Sequence, residues 1–172
     1  MQPHPLRADP PDVLETSGVL IPADPAVITP AIAEAIRTGR FEAAEARELA
    51  AIVRPGDHVL EIGAGIGFIS TLLSRLPRVA RVIAVEANPH LIDYMARLHA
   101  ANGVRKVRRL NAVLTNGPEA SATFYLRRDF WMGSLAPAPN PYLATVEVPT
   151  LPLDALLRAE GIDLVGTSTV AR

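Results

Sequence analysis

The chain contains no cysteine, and its formal net charge is only −1. Without cysteine it forms no disulfide, no thiolate metal site and no cysteine nucleophile, and we predict no metal site of another kind. The near-neutral charge argues against a protein that relies on a positive field to hold nucleic acid. No apolar run approaches the roughly 18–20 residues of a bilayer span. The opening residues lack the charged and then apolar build of a secretory signal, so we expect a soluble, cytoplasmic protein without a membrane partner.

The residues that are present suit a single α/β domain. A length of 172 residues, 49% of them hydrophobic, is enough to build one sizeable core. Prolines crowd the first thirty residues and return between residues 137 and 152, where they exclude long helices. We therefore expect residues 1–28 to form a proline-rich arm that lies on a domain of residues 29–172.

The hydrophobic pattern of that domain predicts alternating strands and helices. Thr29-Pro30 and Asn88-Pro89 resemble helix starts, in which a capping side chain precedes a proline. Two strand–helix–strand units in succession indicate a parallel sheet with right-handed crossovers. The predicted strands are 58–62, 81–86, 107–114, 122–126, 145–148 and 161–165, and the predicted helices are 30–39, 42–53, 68–76, 89–102 and 153–159.

The strongest local motif is the sequence EIGAGIG at residues 61–67, between the first of these strands and a helix. Glycines let the backbone turn tightly and approach a ligand, and the helix that follows offers N–H groups and a positive dipole end. Such a loop suits a dinucleotide, a mononucleotide or S-adenosylmethionine. A dinucleotide fingerprint requires glycine or alanine where Phe68 stands, and the Gly-Lys-Ser/Thr of a P-loop is missing. The remaining pattern predicts S-adenosylmethionine as the cofactor.

Acidic and polar residues at the ends of the strands complete the predicted cofactor site. Glu86 closes the second parallel strand, at the sheet edge where ligands bind, and can accept hydrogen bonds from both ribose hydroxyls. Glu61 suits the ammonium end of the cofactor. Asn111 and Ala112 lie where an adenine ring would fall, although asparagine at a strand end more often serves a turn. The predicted cofactor-binding residues are Glu61, Gly63, Ala64, Gly65, Gly67, Glu86, Ala87, Asn111 and Ala112.

Taken in order, these motifs resemble the class I S-adenosylmethionine-dependent methyltransferases and, more narrowly, the FkbM family. The resemblance spans residues 29–165 and includes residues 54–67, the VEANP segment at 85–89, Ser134-Leu135 and Leu153-Asp154. It implies a Rossmann-like parallel sheet. It also implies an enzyme that transfers a methyl group to a hydroxyl of a small molecule or saccharide.

The last residues depart from the family pattern. Where the family continues with an Asp-x-Glu-Gly motif and further strands, this sequence reads GTSTVAR over residues 166–172. The alternative is therefore a cofactor-binding module that lacks the acceptor half of the fold and has lost catalysis. We also expect the strand at residues 162–165 to be an open sheet edge through which copies of the chain associate.

No catalytic base is predicted from the sequence. His58 enters the first parallel strand at its amino end, His90 is expected near the ribose, and His99 is expected on the surface of a helix. The segment 129–134, which holds the one tryptophan, forms either an acceptor wall or simple loop packing. The basic cluster at 105–109 is predicted to be a solvated strand entrance, with a site for a phosphate-bearing partner as the alternative. We expect no nucleic-acid partner.

Overall fold

The computed structural model describes residues 12–137, 139 and 141–161, together with a strand at 167–171. The strands are β1 (Val13–Thr16), β2 (Val19–Pro22), β3 (Asp57–Ile62), β4 (Val79–Glu86), β5 (Val107–Asn111), β6 (Val113–Thr115), β7 (Ser121–Leu126), β8 (Ala144–Pro152) and β9 (Thr167–Ala171). The helices are α1 (Pro30–Arg37), α2 (Ala43–Ile52), α3 (Phe68–Arg75), α4 (Pro89–Ala101) and α5 (Leu153–Ala159), with a 3-10 turn at Phe130–Met132.

In the part of the chain that the structure describes, the main sheet has four parallel strands in the order β5-β4-β3-β9. Both faces of it are covered, since successive residues along a strand join different core clusters. Val59 and Val82 pack with residues of α1 to α4, whereas Leu60 and Ile83 pack with Leu156 of α5. A run of aliphatic residues is typical of a parallel strand buried on two faces. The α/β fold with a parallel sheet that the sequence predicts is confirmed.

The two predicted helix starts differ in how they are capped. The Asn88 side chain accepts a hydrogen bond from the His90 N–H at 3.0 Å, which confirms the cap at α4. Thr29 is the N-cap residue of α1, as predicted, but among the described residues its side chain makes no capping hydrogen bond. Its hydroxyl instead donates to Asp129 Oδ1 at 3.1 Å, which links the start of α1 to the segment before the 3-10 turn. Helix α1 still begins at Pro30, because proline fits the first helical position.

The strand predicted at 107–114 is two strands. β5 ends at Asn111 in the main sheet, and β6 pairs with β8 in a separate sheet of order β6-β8-β7. Strand-forming aliphatic residues stand on both sides of the break, in VRRLN before it and in VL after it, so the sequence pattern does not reveal it. The break occurs at Ala112, next to the end of β4, and it helps to open the edge of the sheet.

Two other predictions concern the last strand and the N-terminal arm. Residues 162–166 lie outside the described residues, so the open sheet edge expected at 162–165 lies outside them too. The fourth described parallel strand is β9, which pairs with β3 from His58↔Thr167 to Ile62↔Ala171. Within the predicted arm, β1 and β2 form a hairpin whose Val19 and Ile21 are fully buried in the main core. No helix in the described ranges is long and apolar enough to cross a bilayer.

Candidate functional site

A cavity of about 530 Å³, here called the edge cavity, lies at the carboxyl ends of β3, β4 and β5. Its size is within the range of small-molecule sites, about 300–1,000 Å³. The described residues that line it are Ile62, Gly63, Val85, Glu86, Ala87, Ala112, Val113, Leu114, Phe124, Phe130, Trp131, Gly133, Ser134 and Leu135. The topology creates this space because parallel strands end at one edge and the chain leaves β5 for the second sheet.

Glu86 is the last residue of β4 and is only 7% exposed. Its Oε2 accepts a hydrogen bond from the Gly65 N–H at 2.8 Å, and its Oε1 accepts one from the Asn88 N–H at 2.7 Å. The carboxylate therefore connects the glycine loop to the start of α4. Each carboxylate oxygen can accept a second hydrogen bond, so Glu86 can also accept from hydroxyl groups of a ligand in the edge cavity.

The glycine loop is held against β4 by its backbone. The N–H groups of Gly63 and Ala64 both donate to the Val85 carbonyl, at 2.9 and 3.0 Å. Gly63 has φ +75° and lines the edge cavity, and no described atom lies within 4 Å of the place where a Cβ would stand. A ligand can approach the main chain closely there, which is the property predicted for this loop.

Gly65 and Gly67 are restricted by neighbouring side chains. A Cβ on Gly65 would stand 3.3 Å from the Phe130 ring, and one on Gly67 would stand 2.4 Å from Met95 Cγ. Gly67 does not line the edge cavity, so close packing of α3 on α4 explains this glycine. Ala64 is 1% exposed and packs with Met95. The predicted cofactor contacts of Ala64, Gly65 and Gly67 stay predictions that the cavity lining does not support.

Of the other predicted cofactor-binding residues, some line the edge cavity and some do not. Ala87 and Ala112 line the edge cavity with Gly63 and Glu86. Glu61 is fully buried in β3 and is not part of the described lining. The Asn111 side-chain amide donates to the backbone carbonyls of Glu86 and Ala87, both at 2.9 Å. The Asn111 side chain thus links the end of β5 to the end of β4 rather than bonding the backbone of its own turn, and the predicted contact with adenine stays a prediction that the lining does not support.

The aromatic segment of the 3-10 turn forms part of the edge cavity. Phe130 and Trp131 line it, and Trp131 remains 52% exposed. This placement favours the acceptor-wall alternative over loop packing alone. Sequence reasoning missed Val113, Leu114 and Phe124, which reach the cavity only because β6, β7 and β8 form a sheet of their own.

His99 is not on the surface, so that prediction is wrong. It is 1% exposed, and its Nε2 lies 3.0 Å from Ser70 Oγ of α3. Arg109 Nη1 lies 3.3 Å from its Nδ1, and because arginine can only donate, Nδ1 accepts and the proton is on Nε2. Burial, with a smaller contribution from the positive charge of Arg109, lowers the pKa of His99 to about 4. One histidine in the last turn of a helix carries no sequence signal of its burial.

The neutral state of His99 predicts a loss of stability in mild acid. In the unfolded chain its pKa is near 6.5 and in the folded chain about 4, so between these values the unfolded chain binds more protons. The free energy of unfolding therefore falls as the pH drops from about 6.5 towards 4, by about 2 kcal/mol between pH 7 and pH 5. Urea unfolding at both pH values measures it. We expect His99→Gln to reduce this dependence and His90→Gln, at an exposed position on the same helix, to leave it unchanged; equal slopes for the wild type and His99→Gln would contradict the assignment.

The basic cluster at 105–109 is not uniformly solvated. Arg108 and Arg81 both form ion pairs with Glu160, whose side chain is 2% exposed. Arg109 contacts His99, as described above. The cluster therefore joins β5 to its neighbours, and only part of it is a solvated strand entrance.

Part of the chain is similar to known methyltransferases. Residues 35–116 match the family model of the TRM5/TYW2 methyltransferase domain. A chloroplastic ribosomal RNA small subunit methyltransferase of Arabidopsis thaliana is 41% identical over 58 residues, which are 34% of this chain and 16% of that protein. The structure of M. jannaschii TYW2 in complex with AdoMet aligns with TM-score 0.46 and 19% identity over 62% of this chain and 51% of that one. Trm5b from Pyrococcus abyssi aligns with TM-score 0.43 and 19% identity, covering 62% and 33%.

The matched region contains the glycine loop, Glu86 and Ala112, which are central to the edge cavity. Over these residues the match is to a methyltransferase domain, in agreement with the enzyme class that the sequence predicts and with S-adenosylmethionine as the cofactor. The family model is a different one from FkbM. The chain spans only 16% of the length of the Arabidopsis relative, and these similarities assign no methyl acceptor.

Proposed function

We propose that the chain transfers a methyl group from S-adenosylmethionine to a hydroxyl of a small molecule or saccharide, as expected for the FkbM family that its motifs resemble. The observation that carries the proposal is the position of Glu86. Its carboxylate lines the edge cavity next to Gly63, at the carboxyl end of β4. An acidic side chain beside a glycine loop at this edge of a parallel sheet is the arrangement that binds a ribose.

The residues of the edge cavity fit the parts of that cofactor. Glu86 supplies the acceptor for ribose hydroxyls, and the open backbone of Gly63 allows close approach. Ala112 and Leu114 offer apolar surface suited to a flat ring. When bound, the cofactor supplies a methyl group already activated on a sulfonium, so the protein contributes mainly by positioning the acceptor in line with it.

The part of the edge cavity that we assign to the methyl acceptor is lined by the segment after β7. Ser134 and Leu135, which belong to the FkbM-like motifs, line the edge cavity together with the half-exposed Trp131. Of the described residues in that lining, Glu86 alone carries an ionisable side chain. We therefore assign the transfer to positioning and name no general base.

RNA is the second candidate acceptor. The specific observation in its favour is the similarity to a chloroplastic ribosomal RNA methyltransferase over 58 residues. Against it stands the net charge of −1, because proteins that bind nucleic acid gain most of their affinity from an excess of arginine and lysine near phosphates. We therefore rank a small-molecule hydroxyl first.

Labelled S-adenosylmethionine and the full chain test the proposal. We expect calorimetry to show binding of the cofactor and of its demethylated product. In the transfer assay we expect label in a panel of hydroxyl-bearing saccharides and none in bulk RNA. Label in RNA alone would replace the first acceptor with the second. Binding without transfer to either panel would favour the cofactor-binding module, and no binding would contradict the function altogether.

A further inference from the structure

Phe130 lines a second cavity as well as the edge cavity. This second space, here called the arginine cavity, has a volume of about 490 Å³. Its lining includes Arg127 and Arg128, which follow β7, and residues from the first two turns of α4. Because both cavities share Phe130, they are neighbours on the surface of the protein.

The charges of the arginine cavity are predominantly positive. Three arginines line it, Arg97, Arg127 and Arg128, against two aspartates, Asp24 and Asp93. Arg97 Nη2 lies 2.6 Å from Asp24 Oδ2, and this contact lowers the pKa of Asp24, so the two charges offset each other. Arg127 and Arg128 are the other arginines of the described lining, and Asp93 is its other acidic residue. The amino end of α4 adds the positive end of its dipole.

Arg128 is the arginine best placed to bind a ligand. It is exposed, and it forms no ion pair with any residue that the structure describes. A guanidinium group binds carboxylates and phosphates through paired N–H donors. An exposed arginine at the rim of a concave site can therefore bind an anion without first breaking an ion pair.

Arg127 connects the two cavities. It is 8% exposed, and its Nη2 donates to Ser134 Oγ at 3.2 Å, while its Nη1 donates to the Pro141 carbonyl at 3.1 Å. Ser134 lines the edge cavity. The segment that forms the acceptor wall of the edge cavity is thus held by a side chain of the arginine cavity.

We propose that the arginine cavity binds an anionic group, a phosphate or a carboxylate, of a small-molecule acceptor whose methylated part occupies the edge cavity. The acceptor role rests on the proposed function, whereas anion binding can be measured without it. A volume of about 490 Å³ suits a small molecule. The net charge of −1 disfavours a polyanion, which needs an extended positive surface.

Calorimetry with the full chain tests this proposal with three hexose probes. Glucose 6-phosphate and glucuronate carry the two candidate anions, and glucose is the neutral control. We expect at least one anionic probe to bind about tenfold or more tightly than glucose, and Arg128→Gln to weaken that probe by about tenfold. Arg47→Gln, at an exposed position on α2 away from both cavities, removes the same charge and should leave binding unchanged.

Several results would overturn the proposal. These are equal binding of glucose and the anions, no binding of either anion, and equal losses in Arg128→Gln and Arg47→Gln. Tighter binding of a single-stranded RNA oligonucleotide than of glucose 6-phosphate would also overturn it, in favour of a polyanion. S-adenosylmethionine is titrated into the same samples: if it binds while the anions do not, only this inference fails, and if it does not bind, the proposed function fails independently.

Discussion

Glu86→Ala is expected to weaken S-adenosylmethionine binding by about 1.5–3 kcal/mol, which is about ten- to more than hundredfold in Kd. The variant removes the predicted acceptor for the ribose hydroxyls. It also removes the carboxylate that accepts hydrogen bonds from the N–H groups of Gly65 and Asn88, so the glycine loop loses this hydrogen-bonded link to the start of α4. The first loss acts on the bound state, whereas the second is present in the free protein as well and weakens binding to the extent that the cofactor needs the loop held in this position. Calorimetric titration of the cofactor into the wild type and the variant measures the sum.

Two further variants separate the parts of that effect. Glu86→Gln keeps the size of the side chain but replaces one accepting oxygen with an amide donor, so we expect an intermediate loss of affinity. Glu45→Ala removes an exposed carboxylate on α2 and should change nothing. Thermal unfolding of each variant shows whether the fold persists. If Glu86→Ala remains folded and binds the cofactor as tightly as the wild type, the ribose assignment is wrong.

Gly67→Ala is expected to have the largest effect on stability, a loss of about 2–5 kcal/mol from overpacking and from the left-handed backbone. Gly67 has φ +85°, and a Cβ there would stand 2.4 Å from Met95 Cγ and 2.8 Å from His99 Nε2. Both neighbours are buried in α4, so they have little room to move. Since whole domains are stable by only about 5–15 kcal/mol, the variant should unfold at a clearly lower urea concentration.

Gly56→Ala is the matched control for this prediction. Gly56 has nearly the same backbone angle, φ +88°, but no described atom lies within 4 Å of the place of its Cβ. Gly56→Ala should therefore lose only the stability that a left-handed backbone costs a residue with a Cβ, about 1–2 kcal/mol. The difference between the two variants measures the clash between α3 and α4. Equal losses would show that α4 yields to the added methyl group and that packing does not require glycine at position 67.

The glycine loop shows how far a motif can be interpreted from sequence. Its position between β3 and α3, and the location of Glu86 beside it, follow from the strand–loop–helix pattern. The pattern treats its three glycines alike, yet Gly63 lines the edge cavity while Gly67 packs against Met95. Which glycine meets a ligand depends on α4, whose residues lie far along the chain.

The break at Ala112, where the chain passes from the main sheet to the second sheet, was likewise not predictable from the local sequence. Residues 107–114 contain aliphatic residues throughout and are predicted as one strand, but β5 and β6 pair with different partners. The Asn111 amide, which was considered for adenine, instead satisfies two carbonyls at the end of β4. A strand end is set by where its partner ends, and a single segment does not contain that information.

The sequence by itself determined the parallel α/β unit, the glycine loop with its acidic partner, and the cofactor class, because periodicity, turn residues and helix caps act between neighbours in the chain. Only the tertiary structure decided that His99 is buried, that Phe130 lies against Gly65 and lines two cavities, and that the arginines after β7 gather beside α4. These features arise from contacts between distant segments. Burial, steric fit and the balance of charge in a cavity are properties of such contacts, and no local pattern of residues specifies them.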